Sequence, residues 1–155
     1  MIIILTQSIE EFAAQFTEER IEYIKIKNNF YLLNRELNKI RRKINETPSS
    51  FSIPLGRIEK NKFIPSTSLL KWISLHSNKK IFLNKKGAWL FVCKRDVFGG
   101  SILKAGAESG LVLVQNENDE NLGYGQIVAD LSEKHKVVVK NLFDIGDFLR
   151  RERNR

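Results

Sequence analysis

Three β-branched residues in a row, Val137, Val138 and Val139, constrain this chain more than any other feature. Such side chains are stiff at χ1 and fit a pleated surface, and a run without polar alternation suits a strand covered on both faces. The residues after the run are as specific. Asp144 is placed to cap a helix, and Asp147 adds negative charge to its first turn, where the backbone dipole is positive. Ile145, Phe148 and Leu149 fall at i, i+3 and i+4 and form one apolar face. Arg150 and Arg151 stand at the helix C-terminus, where cations are favoured, and Arg153 and Arg155 come after them. The spacing therefore predicts a strand, a tight junction and a short helix with a cationic end. A helix docked on a sheet accounts for the apolar residues. It does not account for Lys134, Lys136 and Lys140 crowding the same region.

The net charge makes that crowding significant. The chain of 155 residues carries +8. Up to Asn78 there are 12 Lys/Arg against 8 Asp/Glu, and beyond it 14 against 10, so each part holds +4. A basic chain with no lipidation or membrane signal points first to nucleic acid. At this length roughly 70% of the unfolded surface can be buried, so a core forms without staples. One cysteine, Cys93, cannot make an internal disulfide, which fits a reducing compartment. No apolar run approaches the roughly 20 residues of a membrane span. Met1 to Leu5 lacks a cationic start and stops at Thr6, so it reads as an N-terminal strand or packed arm rather than a signal peptide.

Along the chain, Ser8-Ile-Glu-Glu11 forms a capping box ahead of a stripe of Ile9, Phe12, Ala13 and Phe16. Strands are expected over 21–27 and 30–33 with a turn at Asn28-Asn29, and a helix over 35–45 with Leu37, Ile40 and Ile44 inward. A second hairpin is expected around Lys60-Asn61. Ser66-Thr-Ser68 caps a further helix with Leu69, Trp72, Ile73 and His76 on one side. Beyond Ser77 to Lys80 the pattern changes. Short apolar runs at 81–83, 89–92, 111–114, 124–129 and 137–139, separated by turn residues, predict a small barrel or sandwich, with Trp89 in its core. Residues 116–121 read as a hairpin tip.

The segment Ile102-Leu-Lys-Ala-Gly-Ala-Glu-Ser-Gly110, then Leu111 to Val114, then Leu122-Gly-Tyr-Gly-Gln-Ile127, resembles a PUA domain, an RNA-binding module. Gly106 and Gly110 permit unusual turns, and Gly123 and Gly125 permit a bulge or close backbone approach. The ending Lys140-Asn-Leu-Phe-Asp-Ile-Gly-Asp-Phe-Leu-Arg-Arg151 resembles the Nip-type family of large-subunit ribosome biogenesis factors. The resemblance is concentrated in the C-terminal half. It implies an α+β architecture: a mixed α/β domain over 1–78, then a PUA-like small β-barrel with a terminal helix over 79–155. It also implies a non-catalytic, cofactor-free and monomeric RNA-binding protein in pre-rRNA processing. Its partners would be unpaired pre-rRNA and other assembly factors or exosome components. It would work in the cytoplasm of a prokaryote or the nucleus or nucleolus of a eukaryote. Lys136 and Lys140 match the family's basic positions, and Lys134 and Arg151 are placed to compensate where Val137 and Phe143 depart from it. The expected RNA-binding residues are therefore Lys134, Lys136, Lys140 and Arg151. A translation factor contacting tRNA or the small subunit, and an RNA-binding subunit of a modifying enzyme, are the alternatives.

Other chemistry is poorly supplied. Phe98-Gly-Gly-Ser-Ile-Leu-Lys lacks the GK[ST] of a phosphate loop, and Gly123-Tyr-Gly125 lacks a third glycine for a dinucleotide fingerprint. Two histidines and one cysteine, widely spaced, do not make an ordinary zinc site. Cys93 beside Lys94 and Arg95 has the setting of an activated thiol but comes after an apolar run, which reads as structural. Phe143 reads as a core aromatic, with base stacking as the alternative role. Lys79-Lys80 and Lys85-Lys86 flank a strand and serve either a groove or a protected sheet edge.

Overall fold

The computed structural model describes residues 8–33, 53–146 and 150. The helix expected over 35–45, the apolar N-terminal run and Arg151 lie outside these residues. The chain divides into two compact units, one ending at Leu69 and the other continuing from Leu70. This division falls inside a helix, ahead of the 78/79 boundary read from the sequence.

The first unit begins with α1 (Ile9–Ala14), whose N-cap Ser8 accepts the Glu11 backbone N–H at 3.1 Å. Ile9, Phe12, Ala13 and Phe16 are buried, as the stripe requires. Four strands come next: β1 (Tyr23–Ile26), β2 (Asn29–Leu32), β3 (Pro54–Glu59) and β4 (Lys62–Pro65). They form an antiparallel sheet in the order β1-β2-β3-β4. The first hairpin turns at Lys27-Asn28, one residue earlier than expected, because Ile26 pairs with Asn29 and Lys27 takes the left-handed conformation. The second turns at Lys60-Asn61 with both residues at positive φ, the signature of a two-residue type I′ loop. Phe63 joins the sheet to the helix, its ring 5.5 Å from Phe12 and 5.4 Å from Phe30.

Helix α2 (Thr67–His76) opens on Ser66, whose hydroxyl accepts the Leu69 N–H at 3.1 Å. Leu69, Leu70 and Ile73 are buried, Trp72 is half-buried and His76 is exposed. His76 stacks on Trp72 with ring centroids 4.3 Å apart.

The second unit holds β5 (Lys80–Leu83), α3 (Lys85–Val92), β6 (Val97–Phe98), a turn of 3₁₀ helix (Gly99–Ser101), β7 (Ile102–Ala105), β8 (Gly110–Gln115), β9 (Asn121–Ile127) and β10 (Val137–Asp144). Six strands make one sheet in the order β6-β10-β9-β8-β5-β7, with β5 parallel to β8 and every other pair antiparallel. A flat sheet of six strands would hold its edges about 24 Å apart. Yet the edge strands β6 and β7 are joined by only three residues, Gly99–Ser101, which span at most about 14 Å. The sheet must therefore curl until it nearly closes. Inside it, Ile81, Leu83, Phe91, Val112, Val114, Val138 and Val139 form a buried core. Across all described residues the class is α+β.

Two local expectations fail here. The apolar run 89–92 belongs to helix α3, not to a strand, and Trp89 is 67% exposed. Asn84 caps this helix by accepting the Gly87 N–H at 2.8 Å, and the helical period then turns Gly87 and Phe91 inward and Trp89 outward. Cys93, read from the sequence as structural, is exposed at the end of the same helix. A second departure concerns Asp144, which ends β10: the strand runs five residues past the valines and pairs Asp144 with Gly123. The expected capping contact falls on residues 147–149, outside the described residues.

The glycine pair in β9 shows why β10 can run so close. Gly123 has φ +146, and a Cβ there would lie 1.9 Å from the Phe143 carbonyl oxygen. A Cβ on Gly125 would lie 2.4 Å from the Lys140 carbonyl oxygen.

Candidate nucleic-acid interface

The geometry of β10 decides what its lysines face. On β6, Val97 pairs with Val139 and Phe98 with Val137, so β10 carries one extra residue, Val138, between them. A bulge of this kind breaks the simple alternation of sides. Val97, Val138 and Val139 all turn into the core. Phe98 is left 47% exposed and Lys140 is exposed. Without a bulge, strict alternation would place Val137 and Val139 on one side and Val138 with Lys140 on the other.

Lys140 meets Asp96, the residue just before β6. Its Nζ lies 3.2 Å from Asp96 Oδ2, while Asp96 Oδ1 accepts the Asn141 backbone N–H at 2.9 Å. Asn141 fixes the neighbouring turn, its side-chain amide donating to the carbonyls of Phe91 and Arg95 at 2.9 and 3.3 Å. That turn presents Lys94, at positive φ, and Arg95, both exposed.

Lys134 and Lys136 sit on the loop leading into β10. The loop is built by Asp130, whose carboxylate accepts both the hydroxyl and the backbone N–H of Ser132. These bonds favour the ionised form and hold the Asp130 carboxyl below the usual range. The loop is stitched to the 3₁₀ turn: the Gly99 N–H donates to the Lys136 carbonyl at 3.2 Å and the Gly100 N–H to that of Lys134 at 3.0 Å. Gly99 permits this approach, since a Cβ there would lie 2.4 Å from the Glu133 carbonyl oxygen. The Lys136 side chain pairs with Glu133 at 3.5 Å, and both groups are well exposed. Lys134 has no ion-pair partner among the described residues.

The structure thus strings Lys134, Lys136 and Lys140 along one edge ladder, β6 against β10, and adds Arg95 and Phe98, which sequence reasoning missed. A strand of two residues gives too little alternation to announce itself, and in the sequence Lys94-Arg95 stand out only as neighbours of the thiol. Two of the three lysines are engaged by carboxylates. Exposed pairs of this kind are worth about 0–1 kcal/mol, so a phosphate can displace the acid at little cost.

Arg150 does otherwise. Its guanidinium turns inward, with Nη1 donating to the Val92 carbonyl at 2.7 Å and Nη2 to the buried Asp144 carboxylate at 3.2 Å. It ties the C-terminal segment to the end of α3. Phe143 is half-buried against Tyr124, its strand partner, with ring centroids 6.4 Å apart. Burial pushes the Tyr124 hydroxyl up to about 12. Phe143 thus packs on Tyr124 but stays half-buried, so it is not the core aromatic expected. Lys80, at the far side of the sheet, pairs with Asp119 at 3.2 Å. An open cleft of about 760 Å³ lies between the β7–β8 loop and the end of β9, rimmed by Glu108, Ser109 and Asp130. Two carboxylates on its rim, Glu108 and Asp130, make it a poor seat for a phosphate.

Residues 79–153, just under half of the chain, match the UPF0113 PUA domain. A UPF0113 protein of Archaeoglobus fulgidus is 34% identical over 89 residues, which cover 53% of this chain and 51% of that one. A UPF0113 protein of Aeropyrum pernix is 35% identical over 117 residues, covering 72% of this chain and 64% of that one. The chain therefore spans about half to two-thirds of the length of the curated relatives it matches. Among solved structures, it is similar to a conserved PUA domain protein of Thermoplasma acidophilum, with TM-score 0.57, 16% identity and coverage of 92% of this chain and 89% of that one. It is also similar to a hypothetical protein of Pyrococcus horikoshii, with TM-score 0.51, 16% identity and coverage of 87% and 88%. At such identities the likeness shows the fold. The expected PUA-like domain is present, and a PUA domain suggests RNA binding. The Nip-type resemblance is finer than these matches.

Proposed function

We propose that this chain binds RNA through the β6–β10 edge of its PUA-like domain and serves as a non-catalytic factor in large-subunit pre-rRNA processing. The observation that carries the RNA-binding part is the edge itself. Lys134, Lys136, Lys140 and Arg95 are exposed along one ladder, where the carbonyls of Lys136, Lys134 and Arg95 accept from the Gly99 and Gly100 N–H groups and the Asn141 side-chain amide. A polyanion is the partner that such a row of cations attracts, and neutralising its phosphates releases counterions, so affinity falls as salt rises. The ribosome-assembly part rests on the resemblance of the chain's ending to the Nip-type family. In that role the protein acts alongside other assembly factors or exosome components.

The experiment is RNA affinity across a salt series for the parent and for a Lys136→Ala, Lys140→Ala double variant. Each phosphate interaction that is removed lowers the slope of log affinity against log salt by about 0.7 for a single strand. Equal slopes and affinities for the two proteins would reject the edge as the site. Co-sedimentation with large-subunit precursors checks the cellular role.

A further inference from the structure

Charge does not explain Phe98. The residue is 47% exposed on an edge strand, while its neighbour Val97 is 3% exposed in the core. Alternation therefore aims the ring away from the core. Its ladder partner Val137 is only half-buried and offers one aliphatic neighbour on that face. An exposed edge strand is ordinarily guarded by a charge or a proline, since apolar edges invite wrong pairing. Here an aromatic ring takes that place, and cations bracket it. Lys136 and Lys134 lie along the stitched loop on one side, and Arg95 and Lys140 stand on the other, around Asp96.

We infer that Phe98 is a stacking platform for one unpaired base, and that this makes the edge selective for single-stranded over duplex RNA. The inference rests on the RNA-binding reading above and deepens it by naming the substrate class. Phosphates alone cannot make this distinction, because both kinds of RNA carry them. An A-form duplex keeps its bases stacked on one another and offers the ring no free face, whereas an unpaired strand can splay a base onto it. Every base has a π-face, so the selectivity is for strandedness and not for sequence.

The test uses the full chain, a short unstructured oligoribonucleotide and a blunt RNA duplex of the same length, each titrated at several salt concentrations. Phe98→Leu keeps an apolar residue on the strand and removes the aromatic face. It should weaken single-strand binding by about 5- to 150-fold, the worth of one stacked base, with the salt slope and duplex affinity unchanged. Phe98→Trp should retain single-strand affinity. An unchanged melting temperature for both variants excludes a trivial loss of fold. If the parent binds RNA in a salt-dependent way but Phe98→Leu binds single strands equally well, the platform is wrong and the charged edge stands. Equal affinity of the parent for duplex and single strand also overturns the inference. If the parent binds neither RNA, the functional reading falls and the platform with it.

Discussion

Replacing Asp96 by asparagine should strengthen RNA binding, although nothing positive is added. Asp96 Oδ2 lies 3.2 Å from Lys140 Nζ, with the two side chains 26% and 50% exposed. In water two unit charges at that distance attract by about 1 kcal/mol, and exposed pairs measure about 0–1 kcal/mol. A phosphate approaching Lys140 must displace this carboxylate or share the lysine with it. Removing the negative charge should therefore raise affinity by up to about fivefold at low salt. The gain should shrink as salt rises, because at 1 M the screening length is only about 3 Å. Asparagine is the right replacement because its side-chain oxygen still accepts the Asn141 backbone N–H, which Asp96 Oδ1 accepts at 2.9 Å. The assay is fluorescence anisotropy of a labelled RNA at several salt concentrations, on four proteins: parent, Asp96→Asn, Lys140→Ala and the double variant. The double variant isolates the pair, since a gain acting through Lys140 disappears when Lys140 is gone. No gain in Asp96→Asn at low salt, with melting unchanged, would refute the assignment of Lys140 to the interface. A gain that persists without Lys140 would place the relieved repulsion elsewhere on the edge.

Three further outcomes concern the scaffold that carries this edge. Gly123→Ala combines a forbidden conformation with a Cβ 1.9 Å from the Phe143 carbonyl oxygen, whereas Gly110→Ala meets nothing within 4 Å and bears only the strain of φ +81. Urea unfolding should show a loss of roughly 2–5 kcal/mol for the former and roughly 1–2 kcal/mol for the latter, and equal losses would refute the close approach. Asp144→Ala should cost roughly 1–3 kcal/mol by the same measurement, because it removes the acceptor of both Arg150 and Asn141 from a buried site; the figure is kept low because Arg150 is partly open to water. Tyr124 ionises late, with burial raising it from 10.0 to about 12. Between these values the folded chain binds the proton that the unfolded chain has released, so this contribution is complete below pH 10 and disappears as pH rises through 12. It amounts to about 2–3 kcal/mol, and Tyr124→Phe should flatten the fall in stability across that window.

Sequence signals survive where a single element carries them, and fade where the fold has to bring distant residues together. The Ser8 cap, the Lys60-Asn61 turn and the valine run are local chemistry, and the structure places a helix, a type I′ loop and a buried strand there. The run 89–92 misleads because four apolar residues fit either period, and the arbiter is Asn84, five residues upstream of Trp89. Asp144 is legible only in part: the sequence shows a carboxylate before an apolar stripe, but not that the strand runs on to it or that Asn141 and Arg150 bond it from both sides. At the interface, the lysines are visible as a cluster of charge. Their carboxylate partners are not all so: Glu133 is three residues from Lys136, but Asp96 is 44 from Lys140, and only the fold brings that pair together. Arg95 and Phe98 are invisible as site residues for the same reason, since β6 owes its existence to pairing with β10 rather than to any propensity of two residues.

That dependence also explains why the edge can serve as a binding surface at all. A sheet edge with unsatisfied backbone groups tends to recruit another strand. Here β6 is only two residues long, its continuation is turned away by the 3₁₀ helix at Gly99–Ser101, and the loop carrying Lys134 and Lys136 closes over Gly99 and Gly100. The backbone donors of Gly99 and Gly100 are engaged by that loop. The outward groups are side chains: ammonium groups, a guanidinium and one ring. The bulge at Val138 supplies the last requirement, because the extra residue lets Val138 and Val139 both enter the core while Lys140 stays in water. Deleting Val138 removes the bulge but leaves Val139 and Lys140 adjacent, so alternation still sends Val139 inward and Lys140 outward, and what is lost is the buried Val138 side chain. Its predicted consequence is therefore single, a fall in stability with RNA affinity kept by the folded protein. Circular-dichroism melting and the anisotropy titration separate the two, and loss of affinity by a folded deletion variant would show that the bulge itself sets the direction of the lysine.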